Sequence, residues 1–294
     1  MDLETYIIMV FCWVDDQLRT YTRLRWRGPH PILDDSEVIT MTLVGEFLRK
    51  DTDTEIFRYF RHHWRHFFPA VARIDRTTFA RQAANLMGVT TRLYRDLVAS
   101  IPLDGHPLWR VDSVPLPVCR YARARGCRRF PGLIAWGRDE TAKQPFRGFR
   151  GHLCIDDHGL IRAFVLAPTD KSDLAALPEL VEAYPGIVIG DRNYWSPDTT
   201  EELHRQDVTL WAPYKNIKRD PNPRWSSLLG RVRRIIETVL GQLVERFRLK
   251  TFRARDQWHL SARMGRKLLS HTIAVWSNLT SGQPPLHLEA IISS

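Results

Sequence analysis

Apolar residues recur every three or four positions through most of the first hundred residues. In SEVITMTLVGEFLRK (36–50) they follow the polar pair Asp35-Ser36, which suits a helix N-terminus. TDTEIFRYFRHHWRHFF and RTTFARQAANLMGVTTRLYRDLVASI keep the same period, so this region is predicted to be helical throughout. IPLDGHP (101–107) breaks the pattern with a glycine and prolines and reads as a linker. Beyond it the texture changes. LWRVDSVPLPV predicts a strand, and GHLCIDDHGLIRAFVLAP predicts two strands about the turn 156–159. SDLAALPELVEAY predicts a helix, with Pro178 at a first turn. GIVIGD is a short buried strand, SPDTTEELHRQD a helix with Ser196 as cap and Pro197 next, and VTLWAPY another strand. The polar stretch KNIKRDPNPRWSS then leads into RVRRIIETVLGQLVERF (231–247), one regular amphipathic helix. RARDQWHLSARMGRKLLSHTIAVWSNL predicts one or two further helices, basic first and apolar later.

After the linker the order is strand, hairpin pair, helix, strand, helix, strand, helix. This predicts an α/β class: a mixed five-stranded sheet with flanking helices, preceded by an all-α N-terminal domain. It is also the element order of a ribonuclease-H-like core. The expected segments are 1–105 (helical), 106–280 (the α/β catalytic core) and 281–294 (a disordered tail).

Charge sharpens the picture. Lys and Arg number 43 against 33 Asp and Glu, a net charge of +10 over 294 residues, and the excess is mostly arginine. A polyanion partner is implied, with nucleic acid ahead of membrane. The run YIIMVFCWV (6–14) is too short to span a bilayer, and Asp2 and Glu4 precede it. Cys12, Cys119, Cys127 and Cys154 are scattered without a CxxC pair, which fits reduced thiols in a cytoplasm.

Three acids stand at chemically suggestive places. Asp112 lies on or just beyond the first strand of the core, and Asp191 closes GIVIGD. Glu237 sits at the rim of the apolar face of its helix, one turn after Arg233. Each has an ordinary explanation alone: turn or cap formation for the aspartates, an i,i+4 ion pair for Glu237. Converging at a sheet end, they would repel one another unless a cation neutralised them. Hard oxygen donors suit Mg²⁺ or Mn²⁺, and two ions about 4 Å apart serve phosphodiester chemistry.

The blocks DSVPLPVCRYARARGCRRFPG, GHL, LAPTDKSDLAALPEL, IGDRNY and RRIIETVLGQLVERF occur in an order that resembles the DDE transposases of bacterial insertion sequences, over nearly the whole chain. The resemblance implies that Asp112, Asp191 and Glu237 are catalytic metal ligands holding two Mg²⁺ or Mn²⁺ ions. It implies a ribonuclease-H-like domain that cleaves DNA at transposon ends and transfers the freed 3′-hydroxyl to target DNA. Of the family's Tyr-Arg-Glu-Lys signature, Arg233 and Glu237 are in place, while Gly230 and Val244 occupy the tyrosine and lysine positions. Asn193 stands where glycine is usual.

Around these acids, Arg120, Arg123, Arg125, Arg128 and Arg129, with Arg192, Arg233 and Arg234, are candidate contacts to double-stranded DNA. Trp195 is a candidate for base stacking, against the ordinary alternative of core packing. The helical segment 1–105 is a candidate reader of terminal inverted repeats, and Arg263, Arg266 and Lys267 a further basic face. The implied partners are transposon ends and target DNA, bound by a homo-oligomer on the bacterial nucleoid, with no membrane. A hydrolytic nuclease of the same fold and a non-catalytic DNA-binding derivative are the competing readings.

Overall fold

Short polar side chains start the helices of the first hundred residues. Asp2 accepts the Thr5 N–H at 2.7 Å ahead of α1 (Leu3–Thr20). Asp34 with Glu37, and Thr52 with Glu55, form capping boxes ahead of α2 (Asp35–Phe47) and α3 (Asp53–His63). Asp75 caps α4 (Arg76–Asn85), and α5 (Met87–Ser100) follows after a break at Leu86. The computed structural model describes residues 1–21, 30–103, 105 and 108–292. The apolar run of 6–14 lies inside α1, which buries Tyr6, Ile7, Val10, Val14 and Leu18 at helical spacing. Among the described residues, no helix is long and apolar enough to cross a membrane.

By contacts the chain divides into two compact units, 101–241 and the pair of segments 1–100 and 242–294. The 101–241 unit is built on β1 (Leu108–Arg120), followed by the short α6 (Tyr121–Ala124), β2 (Ala135–Asp139), β3 (Gln144–Ile155) and β4 (Ile161–Pro168). Then come α7 (Asp173–Val181), β5 (Gly186–Ile189), α8 (Pro197–His204), β6 (Val208–Trp211), α9 (Pro223–Val232) and α10 (Arg234–Glu245), whose last residues pass the contact boundary. β3 runs antiparallel to β1, while β2 and β4 share its other edge end to end. β5 is parallel to β1 and β6 parallel to β5. The sheet is therefore mixed, with five lateral positions filled by six strands. This is the ribonuclease-H-like arrangement, with β2 as an addition. β1 pairs with β5 only over Leu108–Arg110. Pro115 and Pro117 lie beyond that ladder, where β1 has only β3 beside it and a strand edge tolerates the missing N–H. Trp109, Val111, Cys154, Leu177, Leu180, Val188, Leu203 and Leu210 fill the core between sheet and helices.

Two local expectations change. Pro178 does not begin a helix: α7 starts five residues earlier, where Ser172 Oγ accepts the Ala175 N–H at 3.2 Å. The helix expected over 231–247 is two helices broken at Arg233, and α9 already starts at Pro223 under an Asn222 cap.

In the other unit, α11 (Gln257–Thr280) packs on α2, α4 and α5. Leu288 and Ile291, in the stretch expected to be loose, are buried at 2% exposure, and the Met1 ammonium donates to the Ile291 carbonyl at 3.0 Å. Arg266 and Lys267 are buried too, not displayed on a basic face. Glu46 accepts from Arg266 Nε at 2.6 Å and from Lys267 Nζ at 2.5 Å. Asp53 takes the remaining Arg266 contact and that of Arg263. Acids from α2 and α3 draw these cations inward.

Candidate active site

β1 and β5 bring two aspartates close together. Their parallel register pairs Arg110 with Ile189. Two residues beyond that last pair come Asp112, still inside β1, and Asp191, past the end of β5, near enough for the charge of Asp191 to act on Asp112. Asp191 follows the end of β5 and caps the turn Arg192–Tyr194, accepting from the Asn193 N–H at 2.8 Å and the Asn193 amide at 3.1 Å. Asp112 Oδ1 accepts the Ser113 N–H at 2.8 Å. Both carboxylates keep free lone pairs for another cationic or donor group.

Asp112 is held by the break between α9 and α10. Arg233 Nη2 donates to Asp112 Oδ2 at 2.7 Å, and Arg110 Nε donates to the Val232 carbonyl at 2.8 Å. Two alternate residues of β1 thus grip one helix junction. Burial pushes the Asp112 carboxyl up to about 6. The Arg233 guanidinium and the Ser113 N–H oppose that shift, while the charges of Asp191 and Asp173 add to it.

The third acid is placed differently. Glu237 lies in the first turn of α10, one helical turn from Arg233, and is exposed to solvent. It does not form the i,i+4 pair that would explain it locally, because Arg233 is bonded to Asp112. Among the described residues, no three Asp, Glu, His or Cys side chains gather closely enough to hold a metal ion. The structure therefore brings Asp112, Asp191 and Arg233 together and leaves Glu237 one turn away.

Four residues that the sequence did not single out crowd the same place. Asp173, the first residue of α7, lies 3.3 Å from Arg150 Nη1 and 3.5 Å from His152 Nδ1. His152 is fully buried, and burial pulls its imidazole down to about 4 against the pull of Asp173, so it is neutral. Tyr194 is 1% exposed, and burial, then Asp173, Asp112 and Asp191, raise its hydroxyl well above the usual value. Among the described residues, every buried side-chain polar atom of this unit without a hydrogen-bond partner belongs to Arg150, His152, Tyr194 or Arg233. Unpaired buried polar groups cost about 1–3 kcal/mol each, so those of Arg150, His152, Tyr194 and Arg233 call for ordered water or a ligand. The available signal was His152 itself, a polar ring at a buried position in the apolar strand run GHLCI.

The candidate DNA contacts separate into two groups. Arg123, Arg125, Arg128 and Arg129 are exposed around α6, beside Tyr121 and Trp136, whose rings are 6.1 Å apart. Arg120 ends β1, and Arg234 is exposed at the start of α10. Arg192 and Arg233 are engaged internally, the first with the Tyr214 carbonyl and the second with Asp112. Trp195 lies 4.8 Å from the Tyr214 ring and lines a cavity of about 780 Å³ with Trp211 and Trp225.

No curated protein and no solved structure matches the chain. A family model described as the transposase DDE domain matches residues 106–257, more than half of the chain. The match spans β1, β5 with the turn after it, and α10, and so includes Asp112, Asp191 and Glu237. A ribonuclease-H-like sheet with Asp112 and Asp191 just beyond the β1–β5 ladder and this family match lead to one assignment: the chain belongs to the DDE transposase family.

Proposed function

We propose that the chain cleaves DNA at the ends of an insertion-sequence-type element and transfers the freed 3′-hydroxyl to target DNA. Asp112, Asp191 and Glu237 are the acids that hold Mg²⁺ or Mn²⁺, two ions per site. The observation that supports this reading is that Asp112 and Asp191 both follow closely on the last β1–β5 pair and feel one another's charge, within the family-matched segment. Two hard oxygen donors that feel one another's charge, with the neutral and unpartnered His152 ring in the same unit, fit a divalent ion. Bound there, the ions supply Lewis acidity to a phosphodiester and a more acidic attacking oxygen.

The chain's own groups do the rest. Arg233 neutralises Asp112 until DNA and cation arrive, then exchanges that carboxylate for a phosphate. It stands at the break between α9 and α10, one helical turn before Glu237. The exposed arginines about α6 and Arg234 hold the phosphate backbone. Trp195, with Trp211 and Trp225, offers stacking faces to a base at a distorted end. Synapsis of two terminal inverted repeats requires at least two copies of the chain.

An end-oligonucleotide strand-transfer assay with Mg²⁺ tests the reading. Joined products support it, cut but unjoined ends point to a hydrolytic nuclease, and retarded but uncut DNA to a non-catalytic binder. Glu237→Gln is expected to abolish cleavage while leaving DNA retardation intact. Wild-type cleavage by that variant would remove Glu237 from the site.

Acidity gives a second test. A protonated Asp112 cannot ligate, so Mn²⁺ affinity is expected to fall about tenfold per pH unit once the pH drops below about 6. In the metal-free protein the sign is opposite. The folded carboxyl titrates above its unfolded value of 3.8, so this group's contribution to stability is full below that value and is lost as the pH rises through about 6. Calorimetric titration of Mn²⁺ across this range, with metal-free unfolding alongside, checks both.

A further inference from the structure

A third carboxylate lies within electrostatic reach of Asp112, and it is not Glu237. Asp173 presents both carboxyl oxygens to Arg150 Nη1, each at 3.3 Å. The same nitrogen lies 3.3 Å from Ser113 Oγ, so one guanidinium links Asp173 to the residue that follows Asp112. α7, which Asp173 begins, packs on β3 and β4 and on the turn after Asp191. The helix start therefore points its acid at the place where β1 and β5 end their pairing.

An aspartate in the first turn of a helix has an ordinary explanation in the helix dipole. That explanation does not require it to be buried among polar atoms that lack partners. The Asp173 side chain is only 9% exposed. Beside it, His152 is fully buried with neither ring nitrogen hydrogen-bonded, and its Nδ1 is 3.5 Å from Asp173. The Tyr194 hydroxyl, also buried and unpartnered, feels the charge of Asp173 more than that of Asp112 or Asp191. Such groups call for a ligand or ordered water.

The local charges show what kind of ligand. Asp112, Asp173 and Asp191 are faced by the guanidiniums of Arg150 and Arg233, and His152 is neutral. Once Arg233 leaves Asp112 for a phosphate, three negative charges remain against one positive. The deficit equals the charge of one divalent cation. We infer that Asp173 is a positioning residue of this site, whose charge, set by Arg150, draws a divalent cation to Asp112 and Asp191 without ligating it directly. The inference rests on the reading that those two aspartates hold metal.

Mn²⁺ binding to the full chain at neutral pH, followed by the electron paramagnetic resonance of free Mn²⁺, tests it. Asp173→Asn keeps the side-chain shape and removes the charge, so Mn²⁺ binding is expected to weaken about 10–100-fold. Asp173→Glu is expected to recover part of the loss. Arg150→Gln removes the cation nearest Asp173 and is expected to tighten binding by about threefold or more. A purely structural ion pair gives a different result, since breaking it from either side lowers stability and moves affinity in one direction. Wild-type affinity in Asp173→Asn, or weaker binding in Arg150→Gln, overturns the inference. Should Asp173→Asn fail to fold, the direction of the change in Arg150→Gln decides alone. Asp112→Asn is the control for the underlying reading. If the wild type binds no Mn²⁺, or Asp112→Asn binds it equally well, the metal-holding role of the aspartate pair fails first.

Discussion

Asp112→Asn is expected to reduce strand cleavage at least about a thousandfold while leaving the fold and DNA retardation in place. The two effects separate because the substitution acts on stability with opposing signs. Asparagine still accepts the Ser113 N–H, so β1 keeps this local bond. The change strips Arg233 of an ion partner at 2.7 Å, a loss for a guanidinium only 9% exposed. It also removes a carboxylate whose own burial raises its pKa to about 6, a relief of desolvation at neutral pH. The near cancellation protects the fold. Cleavage has no such compensation, since the metal-supported stabilisation of a phosphodiester transition state is worth several kcal/mol, and about 4 kcal/mol already corresponds to a thousandfold. Single-turnover cleavage of an end oligonucleotide, with thermal unfolding of the same preparation, makes the measurement. Cleavage within tenfold of wild type would take Asp112 out of the catalytic machinery.

The chain shows in miniature what a sequence carries and what it hides. Asp191 was legible because it closes an apolar strand run, and Asp112 because it is a lone acid in a strand candidate, each a local property of a few residues. Their juxtaposition was not, because it depends on a three-pair ladder between β1 and β5. β2 was missed because AWGRD alternates half-buried and exposed positions and presents no continuous apolar face. The break at Arg233 was invisible for another reason. RVRRIIET contains neither glycine nor proline at that point, and its apolar period runs on unbroken. The junction is instead gripped from β1, through Arg110 to the Val232 carbonyl and Asp112 to Arg233, residues more than a hundred positions away. Asp173 and His152 were hidden in plain chemistry, one as a helix-start acid and the other as a single polar residue in a strand. Only packing reveals that they share an environment with the aspartate pair.

The same limit governs the helical unit, where the largest stability effect is expected. Glu46→Ala is expected to cost about 3–5 kcal/mol, the range for leaving a buried ion without its partner. Glu46 is 1% exposed and serves two cations at once, Arg266 at 2.6 Å and Lys267 at 2.5 Å, from positions some 220 residues away in the chain. Lys267 feels the loss most. Burial already pulls its ammonium below the usual lysine value, Glu46 is the principal group opposing that pull, and the Phe247 carbonyl at 2.7 Å is a dipole without a full charge. Arg266 retains Asp53 and so falls less far. At about 2–4 °C per kcal/mol for a unit of this size, the unfolding midpoint should drop by roughly 10 °C. The exposed pair Arg205–Glu201 gives the contrast: it is fully solvated, and Glu201→Gln should change stability by less than about 0.5 kcal/mol. Replacing Glu46 and Lys267 together with apolar residues of similar volume should return part of the loss, because much of the cost comes from the unpaired buried ammonium, while Arg266 keeps Asp53. Urea and thermal unfolding of the wild type and these three variants measure all of these. A Glu46→Ala variant as stable as wild type would mean that Arg266 and Lys267 reach solvent after all, which would return them to the basic surface that their sequence alone implies.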